Sequence, residues 1–192
     1  MDDLDLADWR ERVARLYLSP ASLDGFRQGR DELFATHPQS PVPREGFTGL
    51  RYYPFLEAAV VEAPLRRASG TLDIDTGGPD GVVRYRRVAI ADTSYGPLTL
   101  FWIEAYGGGL FMPVRDATCG HGSYGGGRYL TDTVKGTFGR GLVRLTGDRV
   151  RLDFNYLYNP SCAYDDRWAC PLAPRENWLA APIEAGELTY PA

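Results

Sequence analysis

LVRLTGDRVRLDF, residues 142–154, reads as two short strands joined by a turn. Val143 and Leu145 alternate with Arg144 and Thr146, Gly147-Asp148 supplies the turn, and Val150, Leu152 and Phe154 then alternate with Arg149, Arg151 and Asp153. Alternation of period two about a glycine-containing turn is the pattern of a β-hairpin with one buried and one wet face. A two-residue turn sets Leu145 opposite Val150 and Val143 opposite Leu152, all on the apolar face. On the other face Arg144 then meets Arg151, a like-charge contact that needs Asp153, water or a bound anion to relieve it.

The neighbouring segments extend the same reading. Leu98 to Ile103 is apolar on both faces, as in a strand buried on both sides. Gly107-Gly108-Gly109 turns the chain and Leu110 to Val114 returns it, with Pro113 placing that return at a strand end or sheet edge. Val82 to Ile90 is a further strand candidate, preceded by a turn over Gly77 to Gly81. Strands this short and closely spaced fit an antiparallel β-barrel or sandwich better than βαβ units.

The first 36 residues read instead as a helical pair. Asp8 can cap a first helix, with Glu11 at the reciprocal position, and Leu6, Trp9, Val13, Leu16 and Tyr17 follow at helical spacing. A second helix starts at Ser22, carries Leu23, Phe26, Leu33 and Phe34 on one face, and ends by His37 because Pro38 disfavours helix in the residue before it. Gly25 and Gly29 lower its propensity, so it depends on tertiary packing. Pro38 to Pro43 reads as a linker. The expectation is a mainly β protein, α+β by count: an N-terminal helical segment at 1–36 and a β-rich part at 44–190, together one structural unit.

Composition bounds the function. The 192 residues carry 21 Lys+Arg against 25 Asp+Glu, a net charge of −4, which argues against a nucleic-acid binder. No apolar run reaches the ~20 residues of a membrane helix, and the acidic start Met1-Asp2-Asp3 is no signal peptide, so a cytoplasmic protein is expected. The 22 glycines, 14 prolines and 12 tyrosines suit turns and pleated sheets. Lys135 stands alone among arginines, which fits a GC-rich, bacterial-type genome.

Several catalytic signatures fail on context. Gly120 to Gly125 matches G-x-G-x-x-G, but more glycine and strand-like Arg128-Tyr129-Leu130 follow where a helix is required. The same stretch lacks the first glycine of a nucleophile elbow, where His121 stands. His37 and His121 are the only imidazoles available to a triad. No cofactor motif is legible. Cys119, Cys162 and Cys170 are an odd number, compatible with buried thiols, with a Cys162–Cys170 disulfide, or with a zinc site completed by His121.

Polar chemistry is densest in two segments. Arg115, Asp116, Thr118, Tyr124 and Arg128 come from one, at 115–128, and Asp153, Asn155, Tyr158, Asn159, Tyr164, Glu176 and Asn177 from the other, at 153–177. Arginine forks bind carboxylate or phosphate, and Asp116 or Asp153 can act as general acid or base. The same residues can equally form a structural network that pins loops over a barrel end.

At these residues the chain resembles the family known as the domain of unknown function numbered 1684, over roughly residues 26–188. The resemblance lies in Phe26-Arg27 with Arg30-Asp31, in Ser40-Pro41, in Gly46 to Pro54, in Phe111 through Gly120, and in Tyr124 with Gly127 to Leu130. It continues in Leu152 to Asn155, Tyr158-Asn159-Pro160, Cys162-Ala163-Tyr164, Cys170-Pro171, Glu176-Asn177 and Ala185-Gly186-Glu187. The resemblance implies no reaction. Because the family commonly shows Ser, Lys and Thr where this chain has Cys119, His121 and Ser123, it also implies no shared zinc site there, and only Cys162 and Cys170 remain as metal candidates.

Two functions follow as expectations. One is a small-molecule site for an anionic metabolite at one end of a β-barrel, binding or processing it. There Arg115, Thr118, Tyr124, Arg128, Asn155, Tyr158 and Asn159 would contact the ligand, and Trp168 would add an apolar wall. The other is a non-enzymatic interaction module, a possible homodimer through the amphipathic 6–17 segment, whose polar cluster is structural. Neither involves nucleic acid or membrane.

Overall fold

The computed structural model describes residues 3–43, 46–78 and 81–190. The first two residues of the acidic start, the boundary at position 44 and the middle of the 77–81 turn lie outside the described residues. Helices α1 (Asp3–Leu18) and α2 (Leu23–Thr36) precede eight strands. These are β1 (Val60–Arg67), β2 (Thr71–Asp75), β3 (Val82–Thr93), β4 (Gly96–Ile103), β5 (Gly109–Val114), β6 (Arg128–Asp132), β7 (Leu142–Arg144) and β8 (Arg149–Asp153).

All strand pairings are antiparallel, in the order β6-β5-β4-β3-β1-β8-β7, with β2 on the first half of β3. A bulge between Arg87 and Ala89 bends β3, so one half pairs with β2 and the other with β1. The end strands nearly meet: a Cβ on Gly141 would collide with the Leu130 carbonyl oxygen. Of the two β architectures the sequence allows, the sheet is thus a nearly closed barrel. Its interior is filled by Ala63, Ala91, Leu98, Leu100, Met112, Leu130, Val150 and Leu152. Tyr85, Phe101, Phe111 and Tyr129 form a second cluster on the outer face, so β4 is buried on both sides, as its sequence suggests. Pro113 sits at a bulge in the β5–β6 ladder, beyond the last β5 residue paired with β4.

The helices lie on that outer face. Ser22 caps α2, its Oγ accepting from the Gly25 amide, and the helix ends at His37. The apolar stripe of α1 is turned inward: Trp9 meets Phe34 and His37, and Tyr17 meets Phe26 and Tyr158. Arg140 donates to the carbonyls of Tyr17, Ser19 and Ala21 and so ties the α1–α2 turn to the barrel.

Three local expectations are corrected. Asp8 is not a cap but lies inside α1, where it pairs with Arg12 at 2.8 Å and His37 Nε2 at 2.9 Å. The 38–43 segment is not a free linker, because Ser40, Pro41 and Val42 are buried and Val42 packs with Phe34, Leu50 and Tyr164. The hairpin exists, but its register is Leu142↔Leu152, Val143↔Arg151 and Arg144↔Val150. The loop therefore has three residues, Thr146-Gly147-Asp148, closed by the Leu145 amide donating to Arg149 O (3.1 Å). Its cause is tertiary. Strand β1 lies on the other edge of β8, and the Leu65 amide takes Asp148 O at 2.7 Å, while Gly147 turns at φ +70°. A one-residue slip exchanges the faces of a strand. The Arg144–Arg151 contact disappears, Val143 turns outward with Arg151, and Arg144 points inward beside Val150.

Candidate functional site

The two ends of the barrel differ. One is plugged by the chain itself, since Leu179, Ile183 and Ala185 of the C-terminal segment complete the core. Arg128 at the start of β6 is fully buried beneath this plug. Its Nη1 donates to Ala185 O (2.5 Å) and Glu187 O (3.2 Å), and its Nη2 to Ile183 O (2.9 Å) and Asp116 Oδ2 (2.8 Å). Asp116 Oδ1 accepts from the Thr118 amide and hydroxyl and from the Ile183 amide. Burial alone would raise the Asp116 pKa, but the Arg128 charge and these donors outweigh it and hold the carboxyl below its usual range. Thr118 continues the chain of bonds to Ser123 Oγ at 2.7 Å. Arg115 lies against Trp178, 4.2 Å from its ring, and donates to Gly125 O.

The remaining residues singled out in the sequence are distributed around this end and the outer face. Asp153 accepts from the amide (3.0 Å) and side chain (2.9 Å) of Asn155, and Asn155 exchanges bonds with both backbone groups of Leu56. Asn159 donates its amide to Glu187 and its Nδ2 to Leu188 O. Tyr158 stands between Tyr17 and Tyr129. Tyr124 Oη donates to Cys162 Sγ at 3.7 Å. Arg115, Asp116, Thr118 and Arg128 thus come together, and Asp153 with Asn155 forms a separate pair.

Cys162 and Cys170 are neighbours, the Cys162 amide donating to Cys170 Sγ at 3.3 Å. A hydrogen bond from the Cys162 side chain, more than that of its amide, pulls the Cys170 thiol down and leaves the Cys162 thiol raised. Among the described residues no three His, Cys, Asp or Glu side chains stand close enough to hold a metal ion. Sequence reasoning missed a further buried pair, Arg30 of α2 with Glu187 at 3.0 Å, to which Tyr164 Oη donates. Its only legible sign was the place of both residues in the family resemblance.

The opposite end is open. A cleft of about 480 Å³ has an apolar floor of Leu65, Leu100, Leu110, Leu142 and Val150 and a rim of arginines with one carboxylate, Asp148. Register places three arginines inward in adjacent rows: Arg67 beside Ala89, Arg86 beside Trp102, and Arg144 beside Val150. Arg86 is engaged by Glu104 at 3.1 Å. Among the described residues Arg67 and Arg144 have no ion-pair partner.

The comparisons agree with this fold. An uncharacterised protein of Haloarcula marismortui, solved in solution by NMR, is 34% identical over 98% of either chain and superposes with a TM-score of 0.59. No curated protein matches the chain. Among the described residues no helix is long and apolar enough to cross a membrane. Residues 45–188 match the model described as "Protein of unknown function (DUF1684)", and with three quarters of its length so matched, the chain belongs to that family.

Proposed function

We propose that this protein binds a small amphipathic anion, a carboxylate or phosphate head on an apolar body, in the open mouth of its barrel. The observation that carries this reading is the pair of arginines, Arg67 and Arg144, without an ion-pair partner among the described residues and turned inward above an apolar floor. Barrel mouths are favoured ligand sites when apolar walls meet a few convergent polar groups. An exposed ion pair contributes only about 0.2–1 kcal/mol. Covering ~100 Å² of apolar surface contributes about 2.5 kcal/mol. The apolar body therefore supplies most of the affinity, while the guanidinium forks orient the head and select an anion.

The expected role of Arg115, Asp116, Thr118, Arg128, Asp153, Asn155 and Asn159 becomes that of a structural network, the second of the two sequence readings, supported by their bonds to the chain itself. Titration with octanoate, followed by isothermal calorimetry, tests the proposal. Saturable binding is expected, weakened about two- to fivefold by Arg67→Ala or Arg144→Ala. The Arg67→Glu/Arg144→Glu double variant should abolish it. Octanoate binding equally well to the double variant, or not binding the parent protein, overturns the reading.

A further inference from the structure

A second cleft, of about 610 Å³, opens on the outer face of the sheet between the β2–β3 hairpin and the 132–135 segment. Two polar atoms of its lining have no hydrogen-bond partner among the described residues, although the Asp132 carboxyl also receives the backbone amides of Val134 and Lys135. Tyr85 on β3 is fully buried against Phe101 and Phe111, ring centroids 5.8 and 5.4 Å away, and its Oη has no hydrogen-bond partner among the described residues. Asp132, the last residue of β6, is 3% exposed, and its Oδ1 also has none. Native interiors rarely leave such atoms unpaired, because each forfeits its hydration without compensation. Burial raises the Asp132 carboxyl, with the Lys135 charge opposing, and raises the Tyr85 hydroxyl further through the Asp132 charge.

The rim adds cations. Lys135 Nζ stands 4.0 Å from Asp132 Oδ2, and Arg10 of α1 lines the same cleft without an ion-pair partner among the described residues. Other charges along the cleft are already matched: Arg84 with Asp73 at 2.7 Å and Glu104 with Arg86 at 3.1 Å. An ammonium ligand would meet Lys135 and Arg10 as like charges. An aliphatic one would leave both buried oxygens unpaired. A hydroxyl can donate to a carboxylate oxygen and accept from a phenol at the same time.

We propose that this cleft is a binding site for a small hydroxylated anion of the polyol phosphate class. A ligand hydroxyl donates to Asp132 Oδ1 and accepts from Tyr85 Oη, and the phosphate lies against Arg10 and Lys135. The site is independent of the barrel mouth.

Glycerol 3-phosphate and glucose 6-phosphate, titrated into the full chain alongside glycerol and inorganic phosphate and followed by amide chemical shifts, provide the test. At least one of the two esters should saturate shifts around residues 85 and 132–135, about tenfold or more tighter than inorganic phosphate. Tyr85→Phe removes only an unpartnered oxygen, so it should keep its melting temperature yet lose about tenfold in affinity, the worth of one hydrogen bond in a dry site. Asp132→Asn, isosteric and neutral, gives a second variant with the same expected direction. The Arg67→Glu/Arg144→Glu protein should bind these esters unchanged, which separates this site from the mouth. Inorganic phosphate binding as tightly as the esters, undiminished affinity in both Tyr85→Phe and Asp132→Asn, or no saturable shift with either ester overturns the proposal.

Discussion

Arg128 has no exposed surface and Asp116 almost none, so their pairing is a matter of desolvated charge rather than of a surface ion pair. Removing one partner of a buried pair leaves the other uncompensated, a loss of about 3–5 kcal/mol. Arg128→Ala is therefore expected to show that loss in urea denaturation, or to fail to accumulate as folded protein. A ligand-contact role alone would leave its stability near that of the parent. The pH dependence follows from the sign of the Asp116 shift. Its folded pKa lies below the unfolded one, so its contribution is complete above the ordinary carboxylate range and is lost as pH falls through the depressed folded value. The stability gap between the parent and Asp116→Asn should hold from neutral pH to about 5 and close in stronger acid. Denaturation midpoints over that range measure it. The cysteine pair gives a second titration. With its pKa depressed by the Cys162 side chain but only 8% exposed, the Cys170 thiol should alkylate faster in the parent than in Cys162→Ala at neutral pH, and more slowly as the medium is acidified. Peptide mass mapping after brief iodoacetamide exposure reads both.

At the scale of elements, the 142–154 hairpin shows how far local pattern reaches. Alternating Val150, Leu152 and Phe154 specified a strand, and Gly147 a turn. Nothing local distinguished a two-residue from a three-residue loop. That was decided by β1, whose Leu65 amide claims the Asp148 carbonyl from the far side of β8. The same slip carried Arg144 from the expected outer face into the barrel mouth, which is why the arginine rim was invisible in the sequence. The barrel seam depends on close approach in the same way. A methyl at Gly141 collides with Leu130 O, so Gly141→Ala should cost about 1–3 kcal/mol by forcing β7 away from β6. A fall in thermal midpoint, with β-sheet circular dichroism retained, is the expected result. An unchanged midpoint would show that the seam tolerates opening.

At the scale of the molecule, the barrel has one end closed by its own C-terminal segment and the other open to solvent. Chain beyond position 178 supplies Leu179, Ile183 and Ala185 to the core and the carbonyls that Arg128 holds. A protein truncated after Trp178 should not fold, because the closed end would expose apolar core and strand the Arg128 guanidinium. Limited proteolysis and soluble yield check this. The interior alternation, the caps of α2 and the aromatic content determined a β-rich barrel or sandwich with helices in front, since each depends on near neighbours in the chain. The family too was legible, because its closing signature is continuous sequence. Which polar residues are partnered by the chain and which have no partner among the described residues was decided by tertiary structure. Arg115 and Arg128 meet a ring and a plug from more than 50 residues away in sequence, contacts that no local pattern announces. Arg67, Arg144, Tyr85 and Asp132 gave no local sign, because being unpaired is a property of the surroundings a residue is folded into, and sequence spacing does not record it.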